Sequence, residues 1–282
     1  MFAQLLVGLS NGAFYALLSL GLAVIFGMLN VINFAHGAQY MMGAFFSWML
    51  LTYAGIPFWA SLVIVPVLVG ATGLVIEKLL LSRLYQVDHL YGLLLTFGLA
   101  LILEGVFRHY YGVSGLPYAN PLPGYADIGF MNLPYYRAFA IVFSLTVCLA
   151  TWYAIEKTKL GAYLRAATER PELVQAFGIN VPRMLSLTYA FGVGLAGLAG
   201  VLAAPIYSVT PLMGSSLIIV VFAVVVIGGM GSILGSILTG FGLGLVEGLT
   251  KVYYPPASNT VVFVIMVIVL LVRPQGLFGS AK

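Results

Sequence analysis

The fold class this sequence predicts is an all-α polytopic membrane protein of about eight or nine transmembrane or half-spanning helices, and three observations carry it. Of 282 residues 62% are apolar and only 7% are charged, whereas soluble domains carry about 25% charged residues. The first 76 residues contain no Asp, Glu, Lys or Arg, and no water-facing surface can be built from such a stretch. At about 20 residues per span, eight or nine spans use most of the apolar content. Little remains for a soluble domain, so residues 1–282 read as one membrane unit.

The elements follow in order. Met1 is followed by an uncharged run to Leu29 without the positive n-region of a secretory signal, so this is expected to be a retained first helix. Apolar runs then cover Phe34 to Thr52, Ile56 to Ile76, Leu90 to Tyr111, Pro134 to Ile155, Met184 to Ala203, Ser215 to Ile227, Ile233 to Thr250 and Thr260 to Val272. Ser215 to Ile227 is short and the Phe34 run starts polar, so each is expected to be a half-span or a broken helix. Most prolines fall at the proposed ends; Pro66 and Pro205 do not. A kink at Pro66 is tolerable where neighbouring helices satisfy the freed carbonyl.

The twelve basic residues set an expected orientation. With the N-terminus outside, Lys78, Arg83, Lys157, Lys159, Arg165, Arg170, Arg183, Arg273 and Lys282 face the cytoplasm, and Arg108, Arg137 and Lys251 face outward. Nine against three also places the C-terminus and the Glu156 to Arg183 segment in the cytoplasm. The net charge of +4 therefore speaks to topology and gives no case for nucleic-acid binding. Cys148 is the sole cysteine, which excludes a disulfide framework within one chain.

Between spans, lipid supplies no hydrophobic drive, and small residues let backbones approach. Gly192, Ala196, Gly200 and Ala204 form one stripe; Ser232, Ser236, Gly240, Gly244 and Gly248 form a longer one. Tight packing within the subunit is the first reading, with a subunit interface or a sliding gate behind it. Gly192, Gly194 and Gly197 also match a dinucleotide-turn pattern, but that turn needs a strand and a βαβ unit around it. No Gly-Lys dipeptide occurs, so the phosphate-binding P-loop is absent, and any ATP that drives this protein binds another chain. No cofactor or metal site is expected, His36, His89 and His109 being scattered, and the chain reads as non-catalytic. Glu104 with Arg108, and Glu247 with Lys251, sit four residues apart as candidate intramembrane ion pairs.

Two polar breaks form a candidate translocation path. Asn30, Asn33, His36 and Gln39 interrupt the first apolar block, with Asn33 expected to cap the helix that follows. Gly228, Gly229 and Ser232 interrupt the second half, with Ser232 expected to cap the next helix. Paired breaks of this kind expose helix N-termini to a polar cavity, while tight turns at the cytoplasmic surface are the equal alternative. A path with so little fixed charge suits a small neutral or zwitterionic solute. The Glu156 to Arg183 segment holds eight of the twenty charges. Inside it Thr168 is expected to cap a short helix containing Pro171, Glu169 and Glu172 and closed by Gly178. The apolar Leu173, Val174, Ala176 and Phe177 either pack on the membrane domain or dock a soluble partner.

Five motifs in order, N-G-x-x-Y-A-L from Asn11, G-M-L-N-V-I-N-F-A-H-G from Gly27, R-A-A-x-E-x-P-E-L-V-Q-A-F-G-I-N from Arg165, G-G-M-G-S-x-x-G from Gly228 and R-P-Q-G-L-F-G from Arg273, resemble the branched-chain amino-acid ABC importer permeases, most closely the LivH-type subunit. The resemblance spans the whole chain and implies one permease domain working by alternating access in a prokaryotic inner membrane. It implies a LivM-type permease or a second copy as partner, two cytoplasmic ATPases and an extracytoplasmic solute-binding protein. It also implies that Arg165, Ala166, Ala167, Glu169, Glu172, Leu173, Phe177 and Gly178 form the element coupled to the ATPase, as a loose version of the Glu-Ala-Ala loop. Branched-chain or other hydrophobic amino acids are the implied cargo; urea, short amides and aromatic acids are the alternatives within the family. An ion-coupled secondary transporter or channel is the rival class, resting on Glu104 and Glu247, and a purely structural scaffold stands behind it.

Overall fold

A computed structural model describes residues 2–29, 31–85, 87–127, 129 and 131–279. Asn30, Lys282 and the side chain of His89 lie outside the described residues. Helix α1 (Phe2–Leu29) is followed by α2 (His36–Ala54), α3 (Phe58–Leu79), a 3-10 turn (Leu81–Leu84) and α4 (His89–Tyr111). A small antiparallel hairpin, β1 (Tyr125–Asp127) with β2 (Asn132–Pro134), leads into α5 (Tyr135–Glu156), α6 (Lys159–Glu169) and α7 (Pro171–Ala176). Then come α8 (Val181–Ala203), α9 (Ser215–Gly228), α10 (Ile233–Tyr253), a 3-10 turn (Pro255–Ala257) and α11 (Val261–Val272). Six helices, α1, α3 with its 3-10 extension, α4, α5, α8 and α10, are long and apolar enough to cross a bilayer, and α9 and α11 are shorter apolar helices. The all-α expectation holds, with the hairpin as the one addition among the described residues.

Helices α1 and α8 are buried along most of their length, whereas α3, α4 and α5 leave broad apolar faces open, suited to lipid or to another membrane subunit. Small residues set the packing, as expected where van der Waals contact must replace a hydrophobic drive. The α10 stripe lies against a stripe on α1 that the sequence reading did not single out: Gly248 meets Gly8, Gly244 meets Gly12 and Gly240 meets Ala16. A side chain at Gly244 would collide with the Gly12 backbone. On α8, Gly192 meets Gly21 and Ile25 of α1, Gly194 lies 3.0 Å, measured from an added Cβ, from the Pro66 carbonyl of α3, and Gly197 packs on Gly43 of α2. The dinucleotide-like glycines are thus the faces of one helix against three others.

Two helices begin inside the bundle. After α1 ends at Leu29, residues 31–35 turn back along it, and His36 opens α2 with Nε2 3.0 Å from the Leu18 carbonyl. Leu18 lies eleven residues above the end of α1, about 16 Å at 1.5 Å per residue. After α8 ends at Ala203, residues 204–214 descend from the other end, where Val209 pairs with Leu116. They stop at Gly214, which packs on Gly37: a Cβ at Gly37 would lie 2.6 Å from the Gly214 carbonyl. The N-termini of α2 and α9 therefore meet in the interior, and the two helices run from there in opposite directions. Of the two runs flagged in the sequence, the 14-residue α9 is a half-span, whereas α2 begins inside the bundle yet runs for 19 residues, about 28 Å at 1.5 Å per residue.

The chain starts at one end of the bundle and its last described residues reach the other, where Leu277 and Phe278 donate backbone hydrogen bonds to Ile227 and Gly228 at 2.8 and 3.1 Å. Helices α6 and α7 share this second end with Lys78, Arg83, Lys157, Lys159, Arg165, Arg170, Arg183 and Arg273. Arg108, Arg137 and Lys251 lie toward the hairpin end.

Candidate functional site

The first polar break forms a buried cluster. Asn33, His36 and Gln39 are at most 1% exposed; Asn33 donates through Nδ2 to Gln39 Oε1 at 3.0 Å, and Tyr189 of α8 comes beside Gln39. Asn33 does not cap α2. Ala35 occupies the cap position and supplies no side-chain bond, because the Asn33 side chain is drawn to Gln39 while its carbonyl accepts from His36 N at 3.3 Å. Among the described residues the Oδ1 of Asn33, Nδ1 of His36, Nε2 of Gln39 and hydroxyl of Tyr189 find no hydrogen-bond partner, a concentration of polar atoms that a folded interior normally satisfies with water.

The second expected break is a tight turn at the α6–α7 end. Gly229 and Gly231 take φ of +100° and +84°, and Ser232 Oγ accepts from Gly235 N at 3.1 Å, capping α10 as expected. The turn is held against Gly27 at the end of α1 and clasped by residues 276–279. Gly228, Gly229 and Ser232 follow α1's α10-facing side, and His36 its α8-facing side, so the structure does not bring the two sets together. The counterpart of the 31–35 segment is residues 204–214. Its one sequence signal was Pro205, a proline that fits no helix end.

Two cavities flank the point where α2 and α9 meet. Toward the hairpin end a cavity of about 360 Å³ is lined by Asn11, Phe14, Tyr15, Tyr40, Tyr207 and Ser216, among others. Behind it lies Glu247, 5% exposed. Tyr15 donates to its Oε2 at 2.7 Å, Asn11 Nδ2 to its Oε1 at 3.3 Å, and Lys251 pairs with it as the i,i+4 spacing predicts. Tyr207 donates to Asn11 Oδ1 at 2.7 Å. The other expected pair makes no direct ion pair among the described residues: Glu104 lies beside Ser215 at the first turn of α9, where a carboxylate complements the positive helix end, with Arg108 acting on it only from a distance. At the α6–α7 end a cavity of about 910 Å³ is lined by Leu29, Tyr85, Glu156, Arg165, Ser232 and Phe278, among others.

At that same end, residues 159–176 form two helices. Thr168 lies within α6 and donates to the Arg165 carbonyl at 2.8 Å, so it does not cap the second helix; Arg170 takes that position and Pro171 opens α7. The change follows from the sequence of α6, whose buried Gly161, Leu164 and Ala167 recur every third residue and carry the helix through Thr168. Arg165 reaches Glu156 at 3.5 Å and the Ile155 carbonyl at 3.2 Å. Ala166, Glu169 and Glu172 are exposed, and Gly178, at φ +81°, closes α7 through a bond to the Gln175 carbonyl at 2.9 Å. The apolar patch divides: Val174 is buried with Ala167 and Val181, while Leu173 is 52% and Phe177 84% exposed.

One group that sequence reasoning missed ties this end together. Glu77, 2% exposed at the end of α3, accepts from Ser186 Oγ of α8 at 2.6 Å and from the Tyr85 hydroxyl at 2.8 Å. Burial first, and then Glu77, hold the Tyr85 proton well above the usual phenol range. Its position one residue past the uncharged stretch was the available signal.

Comparison with known proteins matches residues 4–271 to the family described as branched-chain amino acid transport system / permease component. The chain is 29% identical to the high-affinity branched-chain amino acid transport system permease protein LivH of Escherichia coli K12, over 99% of this chain and 96% of that one. It is equally similar to the permease protein BraD of Pseudomonas aeruginosa, with the same coverage. A probable LivH of Methanocaldococcus jannaschii is 29% identical over 93% of this chain and 88% of its own. No solved structure gives a significant match. A match over nearly the whole length, on a bundle of membrane-length helices, leaves one conclusion: the chain belongs to the family of permease components of branched-chain amino acid transport systems, the non-catalytic membrane subunits of ABC transporters.

Proposed function

We propose that this single-domain permease works by alternating access in a prokaryotic cytoplasmic membrane, with its N-terminus outside and the α6–α7 end in the cytoplasm. Two ATPases dock on α6 and α7, a LivM-type permease or a second copy of this chain completes the membrane unit, and an extracytoplasmic binding protein delivers an aliphatic or other hydrophobic amino acid. The observation that carries this reading is the exposed pair Leu173, on the two-turn helix α7, and Phe177, at its C-terminal cap, set at the end of the bundle that holds most of the basic residues. So short a helix is marginal by itself, and Val174 anchors it while its other apolar side chains face outward.

Force on α7 has a route inward. Helix α6 lines the larger cavity together with Ser232, Gly231 and the end of α1, and Glu77 links α3 to α8 beside it. Tilting these elements moves the α1 and α8 faces that hold Asn33, His36 and Gln39, and with them the junction of α2 and α9. Gly228, Gly229 and Ser232 serve the path as the hinge of α9 against α10. The test is uptake of leucine by cells expressing the assembled transporter. The reading expects uptake that needs hydrolysable ATP and is indifferent to collapse of ion gradients while ATP is held constant. Uptake that follows an ion gradient without the ATPases overturns it in favour of a secondary transporter.

A further inference from the structure

The cavity toward the hairpin end has the features of a solute site. Its floor is the first turn of α9, represented by Ser216 and Leu217, and its wall is Asn11 and Tyr15 of α1, which hold Glu247. One end of the space therefore faces the start of α9, and the other faces Asn11 and Tyr15, behind which lies the Glu247–Lys251 pair. Phe14, Met213 and Leu217 supply an apolar side. A second observation is independent of the helix end: Tyr40 lines the cavity and is 1% exposed, yet no group among the described residues takes a hydrogen bond from its hydroxyl. A buried phenol is normally paired, and this one borders the cavity.

We infer that this cavity is a binding site within the membrane for a zwitterionic amino acid with an apolar side chain. Its carboxylate is received by the Tyr40 hydroxyl and the first turn of α9, its ammonium is directed to the Asn11, Tyr15 and Glu247 side, and its side chain lies on Phe14, Met213 and Leu217. Two polar ends with an apolar side between them separate this class from others. A monocarboxylate leaves the Asn11 and Tyr15 side unmatched, an amine leaves the α9 and Tyr40 side unmatched, and urea has no apolar tail. Glu104 reaches the same first turn of α9 through Ser215, and Ser216 presents the turn to the cavity. Half-helix ends that meet substrate near the bilayer centre are a known device of membrane transporters; here α2, the other helix that begins inside the bundle, contributes Tyr40 itself.

The inference rests on the permease reading, and its test separates the two. Purified full-length chain in lipid nanodiscs is titrated with leucine, leucinamide, 4-methylpentanoate and urea, with saturation-transfer NMR as the readout, for the native chain and for Tyr40→Phe. Leucine is expected to bind on the order of tenfold more tightly than either half-analogue, with no urea binding. Tyr40→Phe is expected to lose on the order of tenfold for leucine, as when one hydrogen bond to a charged group is removed, with an unchanged melting profile. Equal affinity for leucine and 4-methylpentanoate, unchanged binding in Tyr40→Phe, or no leucine binding by the native chain each overturns the site. ATP-dependent uptake by the native transporter in cells is measured in parallel: if it persists while the site fails, the permease reading stands and solute crosses elsewhere.

Discussion

At the residue scale, close backbone approach is what this chain purchases with its glycines. Gly244 sits where α10 crosses Gly12 of α1, and a Cβ there meets backbone that cannot move aside. Gly242, two residues earlier, has open space around it. Gly244→Leu is therefore expected to separate α1 from α10 and destabilise the fold by about 3 kcal/mol or more, the upper range for forced overpacking, whereas Gly242→Leu should be neutral. Thermal melting of the two variants in detergent measures this; equal midpoints would show that the helices are not in contact as described. Glu247 provides the electrostatic counterpart. Removing it strands Lys251 and leaves Tyr15 and Asn11 without their acceptor, so Glu247→Ala should cost about 3–5 kcal/mol, as for a broken buried pair. Lys251→Met should cost clearly less, since Tyr15 and Asn11 still hold the carboxylate. The same melting assay compares them, and a larger loss for Lys251→Met would contradict the buried-acceptor argument.

At the scale of elements, the prediction concerns α7. Leu173 and Phe177 face outward and Val174 inward, so Leu173→Asp and Phe177→Asp are expected to leave the membrane bundle folded while abolishing ATPase binding or uncoupling hydrolysis from uptake. Co-purification of the ATPases, ATPase rate and uptake are the three readouts, and normal uptake by the double variant would remove the coupling role. Val174→Asp is the contrasting case, expected to lower the melting temperature because it places a charge among Ala167 and Val181. The division of this patch was not legible in the sequence, where the four apolar residues read as one surface. What was legible is instructive by contrast. The shortness of α9 announced a half-span and the polar start of α2 a helix that begins inside the bundle, since run length and polarity are local properties. That residues 204–214 dive inward is not local. It is fixed by Gly37 meeting Gly214 and by Val209 pairing with Leu116, contacts between segments more than ninety residues apart. The glycine turn at 228–232 was read as the second break for the opposite reason: its composition is conspicuous, and composition does not report depth. Asn33 failed as a cap in the same way, because Gln39, six residues on, competes for its amide.

At the scale of the whole molecule, the apolar runs and the charge asymmetry lay open in the sequence because the bilayer imposes them on every span. The α1 stripe of Gly8, Gly12 and Ala16 was present in the same residues but had no meaning until α10 was placed against it. Nine apolar helices, counting α2, put the first and last described residues at opposite ends, with α6, α7 and most of the basic side chains at one end and the hairpin at the other. The chain offers a clean way to assign those ends to the two sides of the membrane. Its single cysteine, Cys148, is fully buried in α5, so the native protein should be silent to a membrane-impermeant maleimide, and one introduced thiol reports alone. Tyr125, 60% exposed on the hairpin, and Phe177, 84% exposed beyond α7, mark the ends. With the chain expressed without its partners, Tyr125→Cys should label in intact cells and Phe177→Cys only after permeabilisation, and inside-out vesicles should reverse the order. The opposite pattern would turn the molecule over. It would place α7 out of reach of any cytosolic ATPase, and the driving force would then have to enter through the hairpin end, where the described surface offers no comparable exposed apolar helix.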